Sequence, residues 1–134
     1  VAKLSGTSFK PTLADRAVTP FRIQGKGPKF SSVTFKVTPG TPRADSRLVV
    51  RGLKNTPHAN GTATITGKVR NDDTRRAPSV AFARTWYGRR GEVLEVRIAT
   101  TTPSRLSPGQ KGRFTLTKPS LPVVQAIRTA TRGR

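Results

Sequence analysis

Thr62-Ala63-Thr64-Ile65-Thr66-Gly67-Lys68-Val69-Arg70 alternates without a break. Successive side chains of an extended strand face opposite ways, so Ala63, Ile65, Gly67 and Val69 fall on one side and Thr62, Thr64, Thr66, Lys68 and Arg70 on the other. This pattern predicts a half-buried strand. Asn60-Gly61 just before it is a favoured tight-turn pair, which makes the strand the second arm of a turn. Residues 47 to 54, RLVVRGLK, form a further candidate strand with less clear faces.

Outward from this centre the same period recurs. Ser32 to Thr38 places Val33, Phe35 and Val37 on one side and Thr34 and Lys36 on the other, before Pro39-Gly40 breaks it. Val80 to Tyr87 and Val93 to Thr100 are rich in β-branched and aromatic residues and flank Gly88-Arg89-Arg90-Gly91, the pattern of a hairpin. Its second arm is expected to turn Leu94, Val96 and Ile98 inward. After Leu106-Ser107-Pro108-Gly109, the stretch Lys111 to Thr117 alternates Phe114 and Leu116 with Arg113, Thr115 and Thr117 as a closing strand. Five strands at this spacing, with Gly and Pro between them and nineteen Thr residues, predict an all-β antiparallel sandwich or barrel.

The ends read differently. Residues 1 to 29 carry Pro11, Pro20, Pro28, Gly6, Gly25 and Gly27 among basic residues, which suits an irregular arm with at most a short strand at Val18 to Gln24. Residues 119 to 134 hold Leu121, Val123, Val124 and Ile127, then a basic end, and fit an extra strand, a helical turn or a solvated tail. The expected organisation is therefore an extended basic arm over 1–29, a sandwich over 30–118 and a basic C-terminal segment over 119–134. At 134 residues there is room for one ordinary domain. The apolar fraction of 33% predicts a modest core.

Charge dominates the composition: 26 Lys and Arg face six acids, Asp15, Asp45, Asp72, Asp73, Glu92 and Glu95, for a net +20. Such a surplus favours nucleic acid, anionic headgroups, acidic polysaccharide or an acidic protein as partner, with binding that weakens steeply in salt. The plainer alternative is a surface kept soluble by arginine. The chain has no Cys, hence neither a disulfide framework nor a thiolate metal site. No apolar run approaches the roughly 20 residues of a membrane helix. The chain has no Met and opens at Val1, which fits a removed initiator or leader, or trimming.

A resemblance emerges over Leu48 to Thr117. Gly67-Lys68-Val69-Arg70-Asn71, Phe82-Ala83-Arg84-Thr85-Trp86-Tyr87 leading into Gly91-Glu92-Val93, and Leu106-Ser107-Pro108-Gly109-Gln110 before Phe114 are similar to the small immunoglobulin-like bacterial and archaeal module named for its FxLYD motif. In that family these features mark a strand closing on an Asn turn, a Tyr-Asp turn before a Gly, and a Pro-Gly turn before the last Phe-bearing strand. Gly88 departs from the pattern, standing where the family has an acidic residue, and the basic charge is not a family trait. The resemblance implies an immunoglobulin-like antiparallel β-sandwich, with extended basic N- and C-terminal arms here, in an exported or envelope protein without known chemistry.

Catalytic constellations lack parts. The sole histidine, His58, lies in a Pro/Asn/Gly loop and reads as a turn residue and not a base, and the chain has no Cys for a Cys-His site. Asp72-Asp73 fall far short of the oxygen ligands a hard cation needs, and Glu92 and Glu95 are expected to pair with neighbouring arginines. Gly61 to Lys68 has five residues between its glycines and Val69 in place of Ser or Thr, so it reads as a strand and not a phosphate loop. Asn60-Gly61-Thr62 meets the glycosylation pattern, yet turn chemistry accounts for it. No enzyme activity, cofactor or metal is expected.

The expected polyanion-binding residues are Arg75, Arg76, Arg84, Arg89, Arg90, Arg128, Arg132 and Arg134, because a guanidinium fork donates two parallel hydrogen bonds to phosphate, sulfate or carboxylate. Solvated basic loops are the alternative for each. Trp86 and Tyr87 are consecutive on a strand, so one faces the core and the other, if exposed, can stack on a base or sugar. Two functions follow. One is a non-catalytic, exported binding or assembly module that docks on an acidic envelope component or on neighbouring subunits of a larger assembly. The other is a nucleic-acid-associated structural protein of ribosomal or capsid type. Charge spread over strands and loops, without Lys-rich tails or aromatic platforms, favours the first.

Overall fold

The computed structural model describes residues 47–133. The expected strands at Val18 to Gln24 and Ser32 to Thr38, the arm over 1–29 and Arg134 lie outside the described residues. Six antiparallel strands follow one another: β1 (Leu48–Pro57), β2 (Ala63–Asn71), β3 (Val80–Tyr87), β4 (Val93–Thr100), β5 (Lys111–Lys118) and β6 (Ala126–Gly133). They form two three-stranded sheets, ordered β1-β2-β5 and β4-β3-β6. In an immunoglobulin-type sandwich, strands A, B and E occupy one sheet and C′, C and F the other, which is the order found here. Across the layers β4 lies beside β5 and β1 beside β6.

The inner faces follow the alternation. Ile65 and Val69 of β2, Phe114 and Leu116 of β5 and Val80, Phe82 and Trp86 of β3 are buried together, joined by Ala77 and Leu106 from the connections. The rings of Phe82 and Phe114 stack across the layers, centroids 4.1 Å apart. Gly67 makes that stack possible. It is paired cross-strand with Phe114, and a Cβ on Gly67 would stand 2.7 Å from the Phe114 ring.

Both hairpins use one turn geometry. Gly61 N donates to His58 O and His58 N to Thr62 O; Gly91 N donates to Gly88 O and Gly88 N to Glu92 O. Gly61 and Gly91 close these turns at φ +82° and +77°, the left-handed conformation that a type I turn with a glycine bulge requires. A residue larger than Gly at position 88 would collide with the Glu92 carboxylate, which itself accepts from Arg90 N.

Two details differ from the sequence reading, and a third decides among its alternatives for the C-terminal segment in favour of the extra strand. β1 runs to Pro57, beyond residue 54, and the glycine at position 52, with φ +57°, lies where its pairing with β2 shifts between Arg51 and Lys54. On β4, Val96 and Ile98 face outward, because they pair with Thr85 and Ala83, whereas Ala99 pairs with Phe82 and packs on the core. The inward expectation for Val96 and Ile98 failed because hydrophobicity alone cannot orient an edge strand: its register against β3 does. The C-terminal segment supplies β6, paired to β3 from Val80↔Gly133 to Tyr87↔Ala126.

Candidate polyanion-binding face

The outward side of β1-β2-β5 is built by the same alternation that builds the core. Register places Arg51 opposite Lys68 and Lys68 opposite Arg113, one cation on each strand in a single row. The next row toward the Asn71 end holds Arg70 and Lys111; the next the other way holds Lys54, Thr66 and Thr115, followed by Thr56, Thr64 and Thr117. Cross-strand neighbours on one face hold their Cβ atoms roughly 5 Å apart, and like charges so placed repel. Arg70 is relieved by Asp72, with Nε 3.0 Å from Oδ1. Arg51, Lys68, Lys111 and Arg113 are exposed and have no ion pair among the described residues. An open cationic surface bordered by threonine hydroxyls results.

The arginines singled out from sequence are not brought together. Arg75 and Arg76 lie in the β2–β3 connection at one end of the sandwich, and Arg89 and Arg90 in the β3–β4 turn at the other. Arg75 reaches Asp73 at 3.6 Å. Arg128 and Arg132 are outward on β6, on the surface opposite the cationic row, where the Arg128 guanidinium lies over the Tyr87 ring at 5.9 Å. Trp86 is 1% exposed and belongs to the core, so its ring is not open for stacking; Tyr87 is the outward member of the pair. Pairing runs of adjacent arginines in the sequence finds turns. The sheet face was legible only as scattered cations at alternate positions, and register between strands distant in the chain joined them.

Arg84 is the exception among these residues. Its neighbours on the same face of β3 are Phe82 and Trp86, so it points between the sheets. It lines a cleft of about 350 Å³ that opens between β1 and the start of β6, with Ile65, Trp86 and Ile127 as apolar wall and His58 and Lys118 also lining it. Arg84 Nε is buried without a hydrogen-bond partner among the described residues, and loss of solvent lowers the guanidinium's pKa from its ordinary value.

The remaining polar motifs are absorbed by turns. His58 Nε2 lies 2.7 Å from Thr64 Oγ1, and Asn60 Oδ1 accepts from Thr62 N and Thr62 Oγ1. Glu95 pairs with Arg97 at 3.4 Å, as the sequence suggested, while Glu92 engages backbone. Among the described residues no group of three or more His, Cys, Asp or Glu side chains is placed to hold a metal ion, and no helix is long and apolar enough to cross a membrane. Compared with known proteins, the chain matches no family model, no curated protein and no solved structure.

Proposed function

We propose that this chain is a non-catalytic binding and assembly module that is exported and docks, through the outer face of β1-β2-β5, on an acidic component of the cell envelope or an acidic surface of a neighbouring subunit. The observation that carries the proposal is the row Arg51–Lys68–Arg113, which has no ion pair among the described residues. Three like charges side by side cost the free protein stability, and an anion laid across them removes that cost while gaining its own attraction. The resemblance to FxLYD modules supports export and the absence of chemistry. Among the described residues, the outward positions of this sheet hold cations and threonines and no aromatic platform on which single-stranded bases stack.

The test compares the wild-type chain with Lys68→Glu/Arg113→Glu and with Arg89→Glu/Arg90→Glu, which makes the same charge change in a turn. Binding to a poly(glycerol phosphate) polymer, duplex DNA and single-stranded RNA is titrated across salt. The face variant should lose most affinity for the phosphate polymer and the turn variant little. Equal losses in both variants would refute a localised face, and binding to DNA or RNA far tighter than to the polymer at equal salt would move the protein to the nucleic-acid-associated class.

A further inference from the structure

We infer that the cleft around Arg84 is a binding site for a small carboxylate with an apolar body, separate from the basic sheet face. The central strand of a sandwich ordinarily fills its inward positions with apolar side chains, and β3 does so at Val80, Phe82 and Trp86. Arg84 interrupts that series. Its cross-strand neighbour on β4 is Arg97, another cation, which is already engaged with Glu95. Every acid of the described residues is engaged elsewhere: Asp72 with Arg70, Asp73 with Arg75, Glu95 with Arg97 and Glu92 with the backbone of Arg90. The guanidinium is thus partly desolvated with no counter-charge among the described residues, an arrangement whose cost is recovered when an anion arrives.

The surroundings define the ligand. A carboxylate can take two parallel hydrogen bonds from the terminal amino groups of the guanidinium fork and further attraction from Lys118, which also lines the cleft. Among the described residues no acidic side chain lines the cleft. Ile127, 47% exposed, offers the body of the ligand its main apolar contact, with the core residues Ile65 and Trp86, each 1% exposed, completing the lining. About 350 Å³ falls in the lower range of small-molecule sites, enough for a head group with a short chain or one ring.

Trp86 is the only tryptophan of the chain and lines the cleft, so its fluorescence reports occupancy. Octanoate is titrated into the full chain with octanol as the uncharged control, in wild type, Arg84→Leu, Arg84→Lys and Lys68→Glu/Arg113→Glu. Octanoate should change Trp86 emission saturably and bind at least about tenfold more tightly than octanol, the value of charged hydrogen bonds to the head. Arg84→Leu should abolish that preference while raising the unfolding midpoint, and Arg84→Lys, which lacks the fork, should keep only part of it. The sheet-face variant should bind octanoate as wild type does, which keeps this site's fate separate from that of the polymer-binding face. A non-saturable response, equal binding of octanol, or a lowered midpoint in Arg84→Leu, which would show the guanidinium to be paired within the chain, overturns the inference.

Discussion

Asn71 ends β2 with no exposed surface and all its polar groups engaged. Its Nδ2 donates to Arg75 O and Leu106 O at 2.8 and 2.9 Å, its Oδ1 accepts from Asp73 N at 3.0 Å, and its backbone exchanges hydrogen bonds with Gly109 and Gln110 of the Pro-Gly turn. One side chain thus ties the β2–β3 connection to the turn before β5. Asn71→Ala strands those partners in a buried place and should cost about 3 kcal/mol in urea unfolding, since each orphaned group costs about 1–3 kcal/mol. Two residues on, the Asp73 carboxyl is held below the ordinary aspartate range chiefly by the Arg75 backbone N–H, with the Arg75 side chain adding to it. A depressed folded pKa contributes stability above the unfolded value and loses it as pH falls through the folded one, so the effect belongs below about pH 4. Asp73→Asn keeps an acceptor for that N–H but cannot titrate, and a thermal-unfolding series should show a shallower acid decline than wild type. Asn71 was visible in the sequence as the end of a strand. Its role as a rivet was not, because Leu106 lies 35 positions away.

At the scale of elements, the two hairpins carry the same turn under different constraints. Gly61 and Gly91 both need a positive φ, which costs an L-residue about 1–2 kcal/mol. A Cβ at Gly91 would enter open space, whereas one at Gly61 would stand 2.8 Å from Ser120 Oγ. Gly91→Ala should therefore lower stability by the conformational cost alone, and Gly61→Ala by that cost plus a displacement of Ser120. Comparing the two unfolding midpoints checks the ordering. Strand existence in β2, β3 and β5 was legible because period-two alternation and turn residues agree there. β4 was placed by sequence but oriented wrongly, since Val96 and Ile98 look like core residues until register against Ala83 and Thr85 turns them outward. β6 gave the weakest signal, because only Ala126, Ile127 and Ala130 relieve its run of Thr, Arg and Gly; pairing with β3 makes it a strand.

Across the whole molecule, a net charge of +20 makes long-range attraction to acidic partners a property of composition, with a steep dependence on salt. Register sets three of these cations side by side, with Lys68 flanked by Arg51 and Arg113. Lys68→Thr should stabilise the free protein by about 0.3–1 kcal/mol, by removing repulsion at both neighbours, and at the same time weaken binding to a phosphate polymer. Chemical unfolding and a binding titration on the same variant test these opposite signs; a destabilised variant would mean the row is not under repulsion. By itself the sequence determined that the chain is basic, built of strands, punctuated by Gly and Pro turns and poor in groups for catalysis, because composition and period-two alternation are local properties. Which cations share a face, that Arg84 points between the sheets and that Trp86 is enclosed were decided only by the tertiary structure. Those facts depend on register between strands far apart in the chain, which no local pattern records.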